Sequence, residues 1–259
     1  MSIEAIQLEE ERLTHGTEEK PLIRERHRAF PFIFENRQHK RILDSAAGLG
    51  YSAQQIKKDY KVGKIMCNDL APTCLMSLRQ AGLPAMRFNL DNDGPGFPIA
   101  DCSFDAVISS STIEHLLHVD EFLKEVYRIL EPEGYFYIST PNYASPLYLW
   151  PVIWAGRTFH DPMKANLRYE FFGHVRYFTY RTMLEYVPTF GFVPEAVYIP
   201  LPKSSTIFQG LRKTAPLKAL IFRLGTNVLY RLSPRWASEP ILCFRKTDKP
   251  TGRLRKVIF

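Results

Sequence analysis

Short apolar runs alternate with helix-like segments along most of this chain. Seven runs are predicted as strands: 41–45, 64–68, 85–88, 104–109, 134–140, 195–201 and 240–245. Four segments between them have helical periodicity: 52–60, 73–80, 119–130 and 179–189. Strands that alternate with helices predict an α/β fold, with a doubly wound, mostly parallel seven-stranded sheet and helical insertions. A ligand of such a sheet binds at the carboxyl ends of its strands.

The composition favours one large domain, because 259 residues with 45% hydrophobic and 13% aromatic side chains can bury a sizeable core. We predict a domain over 38–247, with inserts near 143–174 and 203–237 that exceed a minimal fold. A helical extension, 1–37, would precede this domain, and a basic tail, 248–259, would follow it.

Cysteine usage and the first twenty residues predict a cytoplasmic location. The four cysteines have no CxxC spacing and no histidine at ligand spacing, which argues against a zinc site and a secreted disulfide framework. The N-terminal residues are charged and lack the apolar core of a signal peptide or membrane anchor. The longest apolar stretches are too short or too interrupted to span a bilayer, so any membrane contact would be peripheral, at the inner face.

Positive charge is concentrated in one part of the chain. Residues 203–259 hold thirteen Lys or Arg against two acidic residues, whereas the whole chain has a net charge of +7. The rest of the protein is therefore acidic on balance. This distribution argues against nucleic-acid binding by the main part of the protein. The role of the basic segment depends on what that segment packs against.

The sequence ILDSAAGLG, 42–50, places a carboxylate at the end of the first predicted strand and two glycines in the turn that follows. Gly48 and Gly50 would let a ligand approach the backbone beside free N–H groups of a helix N-terminus. A dinucleotide site is one alternative, because the G-x-G-x-x-A pattern is present and Asp69 lies about twenty residues downstream. Asp44 argues against it, since a carboxylate there would repel a pyrophosphate. It would attract the sulfonium and ammonium of S-adenosylmethionine.

Five stretches in order resemble the class I S-adenosylmethionine-dependent methyltransferases of the small-molecule type. They are ILDSAAGLGY, MCNDLAPTCL, RFNLDNDGPGFPIADCSFDAVISSSTIEHL, GYFYISTPN and HVRYFTYRTMLEYVPTFGF. The resemblance implies a Rossmann-like methyltransferase fold, S-adenosylmethionine as the cofactor and an enzyme. Ala46 stands where many members have their first glycine, and Asn89 where the family more often has Asp.

The resemblance also assigns site residues. Cofactor-binding residues would be Asp44, Ala46, Gly48, Gly50, Asp69, Leu70, Asn89 and Leu90. Within this set Asp69 would accept from both ribose hydroxyls and Asn89 would meet the adenine amino group. Asp69 could instead cap the helix that follows it.

Four further residues are candidates on the acceptor side. Catalytic candidates are His115, as a base, and Glu114; a structural hydrogen-bonding role for His115 is equally open. His174 and Arg176 would orient the substrate or lock the insert onto the core. Quinone-biosynthesis O-methyltransferases with a related signature use a further acid for a metal, but the matching position here is Ser111. We therefore predict no metal.

The two inserts should carry the acceptor information. The first, 143–174, is rich in Tyr, Trp and Phe and could wall an apolar acceptor pocket or be plain core. The second, 203–237, contains a helix with one apolar face and nearby basic residues, formed by Leu217, Leu220, Ile221, Leu224 and Val228. That helix could pack against the domain or rest on an anionic membrane.

These observations predict methyl transfer from S-adenosylmethionine to an oxygen of a small, glycan-type or amphiphilic acceptor. The expected partners are a small-molecule or lipid-linked substrate and an anionic membrane surface, with no specific nucleic acid. Two alternatives stay open. One is a non-catalytic membrane- or nucleic-acid-binding protein on this fold, and the other is an NAD(P)-dependent oxidoreductase.

Overall fold

The computed structural model describes residues 6–7, 10, 13, 29–61, 63–91, 94–158, 160, 163, 173–200, 206–248 and 256–258. These residues form one eight-stranded sheet in the order β3-β2-β1-β4-β5-β7-β6-β8. The strands are β1 Arg41–Asp44, β2 Lys64–Asn68, β3 Ala85–Met86, β4 Phe104–Ser110, β5 Leu130–Ser139, β6 Phe192–Tyr198, β7 Ile241–Lys246 and β8 Lys256–Ile258.

Seven helices connect or flank these strands in the described part of the chain. They are α1 Tyr51–Asp59, α2 Pro72–Gln80, α3 Val119–Ile129, α4 Pro146–Ala155, α5 Tyr180–Tyr186, α6 Thr206–Thr214 and α7 Pro216–Leu232. The acidic first turn and basic last turn of α3 match its helix dipole. Each predicted helix and strand is present within a few residues of its expected bounds, which confirms the α/β interpretation.

The sheet separates two hydrophobic cores, because neighbouring strand residues point to opposite faces. Leu43, Val107 and Phe136 lie in one core with the inner face of α3. Ile42 and Tyr137 lie in the other core with α1. The strands are apolar on both sides for this reason, as expected of a sheet covered by helices on both faces.

The strand order creates the crevice in which a ligand can bind. β2, β1, β4 and β5 pair in parallel, and the chain leaves β1 in one direction along the sheet and β4 in the other. β7 runs antiparallel between β5 and β6. The carboxyl ends of β1, β2 and β4 therefore meet at one edge, beside the point where the strand order reverses.

The sheet has one strand more than the seven predicted. Residues 256–258, from the segment expected to be a basic tail, form β8 and pair in parallel with β6. Residues 256–258 of the predicted tail therefore belong to the sheet. The backbone groups at the outer edge of β6 gain partners from β8, which accounts for the pairing of a segment with little hydrophobic pattern.

The predicted N-terminal extension also joins the domain. Phe30, Ile33 and Phe34 are buried in the same core as α1. Nearer the N-terminus, the carboxylate of Glu10 accepts a hydrogen bond from the backbone N–H of Thr73 at the start of α2. The described residues of the extension thus contact the domain at two places; most of 1–28 lies outside the described residues.

The predicted inserts contain α4, α6 and α7. Residues 159, 161–162, 164–172 and 203–205 of these inserts lie outside the described residues. Tyr230 packs in the core on the α3 side of the sheet and so attaches α7 to the domain, whereas the predicted apolar face of α7 is exposed to solvent. In the part of the chain that the structure describes, no helix combines the length and hydrophobicity needed to cross a bilayer.

A buried histidine, His39, contacts β5 away from the crevice. His39 Nε2 is 2.8 Å from the hydroxyl of Tyr137, and its backbone N–H donates to the hydroxyl of Tyr60. Burial, with a smaller contribution from the positive charge of Arg37, lowers the pKa of His39 to about 4. Asp105 Oδ1 lies 3.7 Å from Nδ1, which is too far for a hydrogen bond that would hold the ring charged.

We predict that His39 weakens the fold in mild acid. The unfolded chain takes up a proton at this residue near pH 6.5 and the folded chain only near pH 4, so stability falls as the pH drops through that window. The loss should approach about 3 kcal/mol. Urea unfolding between pH 7 and pH 4.5 would measure it. His39→Gln should flatten the difference, and parallel curves for both proteins would contradict the assignment.

Candidate active site

The turn after β1 leaves room for a ligand beside the backbone. Gly48 and Gly50 have φ values of 55° and 83°, in the left-handed region that glycine tolerates. No atom lies within 4 Å of the position that a Cβ on Gly48 would occupy, whereas a Cβ on Gly50 would be 2.7 Å from Leu78. Gly48 therefore borders open space, and Gly50 is required for α1 to pack against α2 and the following turn. Ala46 is half-buried in the same turn.

Two acidic side chains lie close together at this edge of the sheet. Asp44 ends β1 and Asp69 follows β2, and both are buried. Burial, and secondarily the negative charge of Asp69, raises the pKa of Asp44 to about 7. A buried pair of acids is stabilised by a proton or by a cation and repels an anion. The edge is thus electrostatically suited to a positively charged ligand.

Backbone donors hold Asp69 in a fixed orientation. Its Oδ2 accepts from the N–H of Gly48 at 2.8 Å, and its Oδ1 accepts from the N–H of Ala71 at 3.0 Å, just before α2. The bond to Ala71 orders the start of α2, as the capping role requires, and the ribose contact of Asp69 stays a prediction. Leu70 is half-buried beside it.

Asn68 is a positioning residue that the sequence analysis missed. Its side-chain amide donates to the carbonyls of Ser45 and Phe88, and its oxygen accepts from the N–H of Phe88. One buried side chain therefore ties together the loops after β1, β2 and β3. The sequence did contain a signal for Asn68: it is a polar residue at the end of an apolar strand, next to the candidate site residue Asp69.

The loop after β3 places Asn89 and Leu90 near this edge in different ways. Leu90 is buried in the core on the α3 side of the sheet. The amide of Asn89 bonds with the backbone of Asp91, both donating and accepting. Asp91 in turn accepts from the N–H groups of Leu117 and His118. The predicted adenine contact of Asn89 stays a prediction, and in this structure its amide orders the loop.

A second cluster forms where the loop after β4 meets the end of the first insert. The carbonyl of Glu114 accepts from the N–H groups of Val175 and Arg176. His115 Nδ1 lies 3.0 Å from the carbonyl oxygen of Gly173. Because a carbonyl only accepts, His115 donates through Nδ1, and in the neutral ring Nε2 holds the lone pair.

Three more aromatic rings complete this cluster. His174 lies 4.7 Å from both His115 and His160, measured between ring centroids, and its Nδ1 is 2.6 Å from the hydroxyl of Tyr143. Glu114 and His174 are buried. Sequence analysis missed Tyr143 and His160 as individual site residues, although both lie in the insert whose aromatic content pointed to the acceptor pocket.

The cluster could hold a divalent cation. One possible ligand atom from each of Glu114, His115 and His174 lies within 4.8 Å of the others, and a carboxylate with two imidazoles suits several transition metals. The expectation of no metal rested on Ser111, which stands where related enzymes have a further acid. His174 offers another possible ligand beside Glu114 and His115, so the reason for that expectation no longer holds.

The structure places the two predicted substrate residues differently. His174 lies inside the cluster with His115, and its role in orienting the substrate stays a prediction. Arg176 is exposed, and its guanidinium donates to the carbonyl of Leu117 at 2.7 Å. Its observed contact therefore fits the alternative in which it fastens the insert to the loop after β4.

Comparisons with known proteins agree with this arrangement. Residues 43–138 match a family model described as a methyltransferase domain. The chain is 31% identical over 94 residues to the mitochondrial arginine-hydroxylase NDUFAF5 of Rattus norvegicus, which covers 36% of this chain and 26% of that protein. It is 34% identical over 97 residues to a malonyl-[acyl-carrier protein] O-methyltransferase of Geobacter sulfurreducens, which covers 37% and 36%.

A solved structure shows the same fold over most of the chain. The S-adenosylmethionine-dependent methyltransferase of Archaeoglobus fulgidus superposes with a TM-score of 0.57 at 16% identity, covering 85% of this chain and 91% of that one. The sequence matches are shorter: they span about a quarter of the hydroxylase and about a third of the O-methyltransferase. The family-model match, 43–138, contains the glycine turn and the two acids.

Proposed function

We propose that this chain is a class I S-adenosylmethionine-dependent methyltransferase and catalyses methyl transfer. The proposal is supported by the match of residues 43–138 to a methyltransferase domain and by the fold. The acceptor that we propose is a small, glycan-type or amphiphilic molecule, methylated at oxygen. The observation that carries the donor half of this proposal is the buried acid pair, Asp44 and Asp69, beside an open glycine turn.

The residues at the carboxyl edge fit the donor. Gly48 borders open space that would let an adenosyl group approach the backbone, and Asp69, which already accepts from the N–H of Gly48, would accept from the ribose hydroxyls. Asp44 would face positive charge there, which also argues against the alternative of a nicotinamide dinucleotide with its anionic pyrophosphate. Bound S-adenosylmethionine would supply a methyl group made electrophilic by the sulfonium.

The second cluster supports an oxygen acceptor. A hydroxyl becomes a better nucleophile when a nearby base removes its proton during attack. His115 is suited to that role because its Nδ1–H bond to Gly173 leaves Nε2 as the basic nitrogen. Buried Glu114 and His174 beside it would stabilise the imidazolium that results. The similarity to an O-methyltransferase adds support to an oxygen target.

We predict that Asp69→Ala weakens the binding of S-adenosylmethionine at least tenfold. Two bonds from hydroxyls to a buried carboxylate are worth about 1.5–3 kcal/mol each, and about 1.4 kcal/mol is a tenfold change in affinity. Isothermal titration calorimetry would measure the change. Asp101→Ala removes the same charge from an exposed residue before β4 and should bind normally. Equal affinity of the Asp69 variant and the wild type would exclude the ribose contact.

Donor binding should also release protons from Asp44. Its raised pKa leaves much of the side chain protonated at pH 6.5, and a cation nearby favours the carboxylate. Affinity should therefore rise between pH 6 and pH 8. Calorimetry at pH 6.5 in two buffers of different ionisation enthalpy would give the proton count. Asp44→Asn should release fewer protons than the wild type, and the same count in both would refute the coupling.

We predict that His115→Ala lowers methyl transfer by about a hundredfold or more while donor affinity stays nearly unchanged. The assay would follow labelled methyl from S-adenosylmethionine into the lipid and glycan fractions of a cell extract. Loss of donor binding or of the folded state in this variant would show a structural role instead.

Two further outcomes of that assay discriminate the alternatives. Loss of transfer on treatment with a chelator, with recovery on adding a divalent metal, would assign Glu114, His115 and His174 to a cation in place of a base. Tight donor binding without transfer to any fraction would favour the non-catalytic alternative.

A further inference from the structure

Helix α4 presents a large apolar surface to solvent. Its sequence, PLYLWPVIWA, has no charged residue, and only Tyr148 is buried. Ile153 is 70% exposed and Trp154 is 76% exposed, and the rings of Trp150 and Trp154 stack at 5.2 Å. Large exposed apolar patches on a folded protein usually mark a binding surface.

Helix α7 presents a second apolar surface. Leu217 is 70% exposed and Ile221 is 62% exposed, and Leu220, Leu224, Val228 and Leu232 are also exposed. At 3.6 residues per turn these six side chains form one stripe, opposite the buried Ala219 and Tyr230. The stripe thus points away from the domain to which the helix is attached.

The end of α7 lies next to the start of α4. The hydroxyl of Tyr230, near the end of α7, donates to the side chain of Ser238 and accepts from its backbone N–H, and the carbonyl of Ser238 accepts from the N–H of Asn142. Asn142, just before α4, donates to the carbonyls of Arg235 and Ala237. We call the exposed side chains of α4 and α7 the docking face.

Exposed positive charge surrounds the docking face. Lys218 and Arg223 flank the stripe of α7, and Arg231 lies within it near its end. Further exposed cations are Arg212, Lys213 and Arg235. The sequence has no Asp or Glu in 143–158 or in 206–238. Within these two segments every charged side chain is a cation, although Glu239 lies near Tyr230 at the end of α7. This combination complements a surface that is apolar inside and anionic at its border.

We propose that the docking face binds the surface of an anionic lipid bilayer. The apolar side chains would enter the boundary between headgroups and acyl chains, and the basic residues would lie among the phosphates. Tryptophan favours this boundary, and α4 and α7 are too short to cross the membrane. A nucleic acid would match the charge but would leave the exposed tryptophans and leucines in water.

The proposal connects the membrane to the second cluster. The buried ring of Tyr148, on α4, lies 4.9 Å from Tyr143 and 6.1 Å from His160, both next to His174. One side of α4 therefore borders the cluster while the other side belongs to the docking face. This step rests on the proposed function: an amphiphilic acceptor could reach His115 with its apolar part still in the bilayer.

Tryptophan fluorescence provides a direct test with the full chain. All three tryptophans of the sequence lie on or beside the docking face: Trp150, Trp154 and Trp236. Vesicles with about one third phosphatidylglycerol in phosphatidylcholine should shift their emission to the blue, and brominated acyl chains should quench it. Pure phosphatidylcholine should have a weaker effect. Since binding requires no turnover, this test can fail independently of methyl transfer.

Matched variants test the apolar and the electrostatic contributions to vesicle binding, measured by co-sedimentation. Ile221→Asp should lower vesicle binding at least tenfold, and Met76→Asp, at an exposed apolar position on α2, should not. Lys218→Glu should lower it about fivefold or more, and Lys58→Glu, the same charge change on α1, should have little effect. Circular dichroism and donor binding would confirm that each variant is folded.

Three results would overturn the proposal. One is no binding to anionic vesicles at low salt. Another is binding without a tryptophan shift, which would assign it to basic residues elsewhere. The third is equal loss in the docking-face and control variants. Protein that fails to bind vesicles but self-associates, or that shifts generic RNA in a gel, would assign the face to a second copy or to nucleic acid.

Discussion

The Asp69 carboxylate accepts hydrogen bonds from Gly48 and Ala71, and so joins the turn after β1 to the start of α2. These bonds hold a negative charge next to buried Asp44, whose pKa rises to about 7. The glycine turn, the start of α1 and the loop held by Asn68 are arranged around this pair. Because two buried acids cannot both ionise cheaply, the edge favours a proton or a cation.

Much of this edge could be predicted from sequence, because its signals are local. Asp44, Gly48 and Gly50 fall within seven residues, and the strand before them has a simple apolar pattern. The second cluster was harder to predict. His115 and Gly173 are bonded across 58 residues, through an insert with no regular pattern. The sequence named His174 as a candidate but not its contacts, and it gave no reason to single out His160.

Whether an apolar helical face is covered depends on the whole fold. The sequence alone therefore could not predict whether the apolar face of α7 is buried or exposed. The periodicity of α7 correctly grouped Leu217, Leu220 and Ile221, yet the same pattern fits a helix packed on a core. The structure shows this group exposed, with Tyr230 attaching α7 to the core. The sequence pattern did not predict β8, because three residues are too few to show a periodicity. Their pairing is determined by the free edge of β6.

The position of β7 has a consequence for how the chain can fold. β7 lies between β5 and β6 and pairs with both, although about a hundred residues separate it from β5 in sequence. Among the described strands, β6 and β8 thus connect to the rest of the sheet through β7 alone, which is synthesised after α7. Until β7 arrives, the inner edge of β5 has unpaired backbone groups, so assembly depends on a slow, long-range step. A nascent chain that stops before residue 241 would contain the matched domain, 43–138, but would lack β7, the strand that joins β6 to β5.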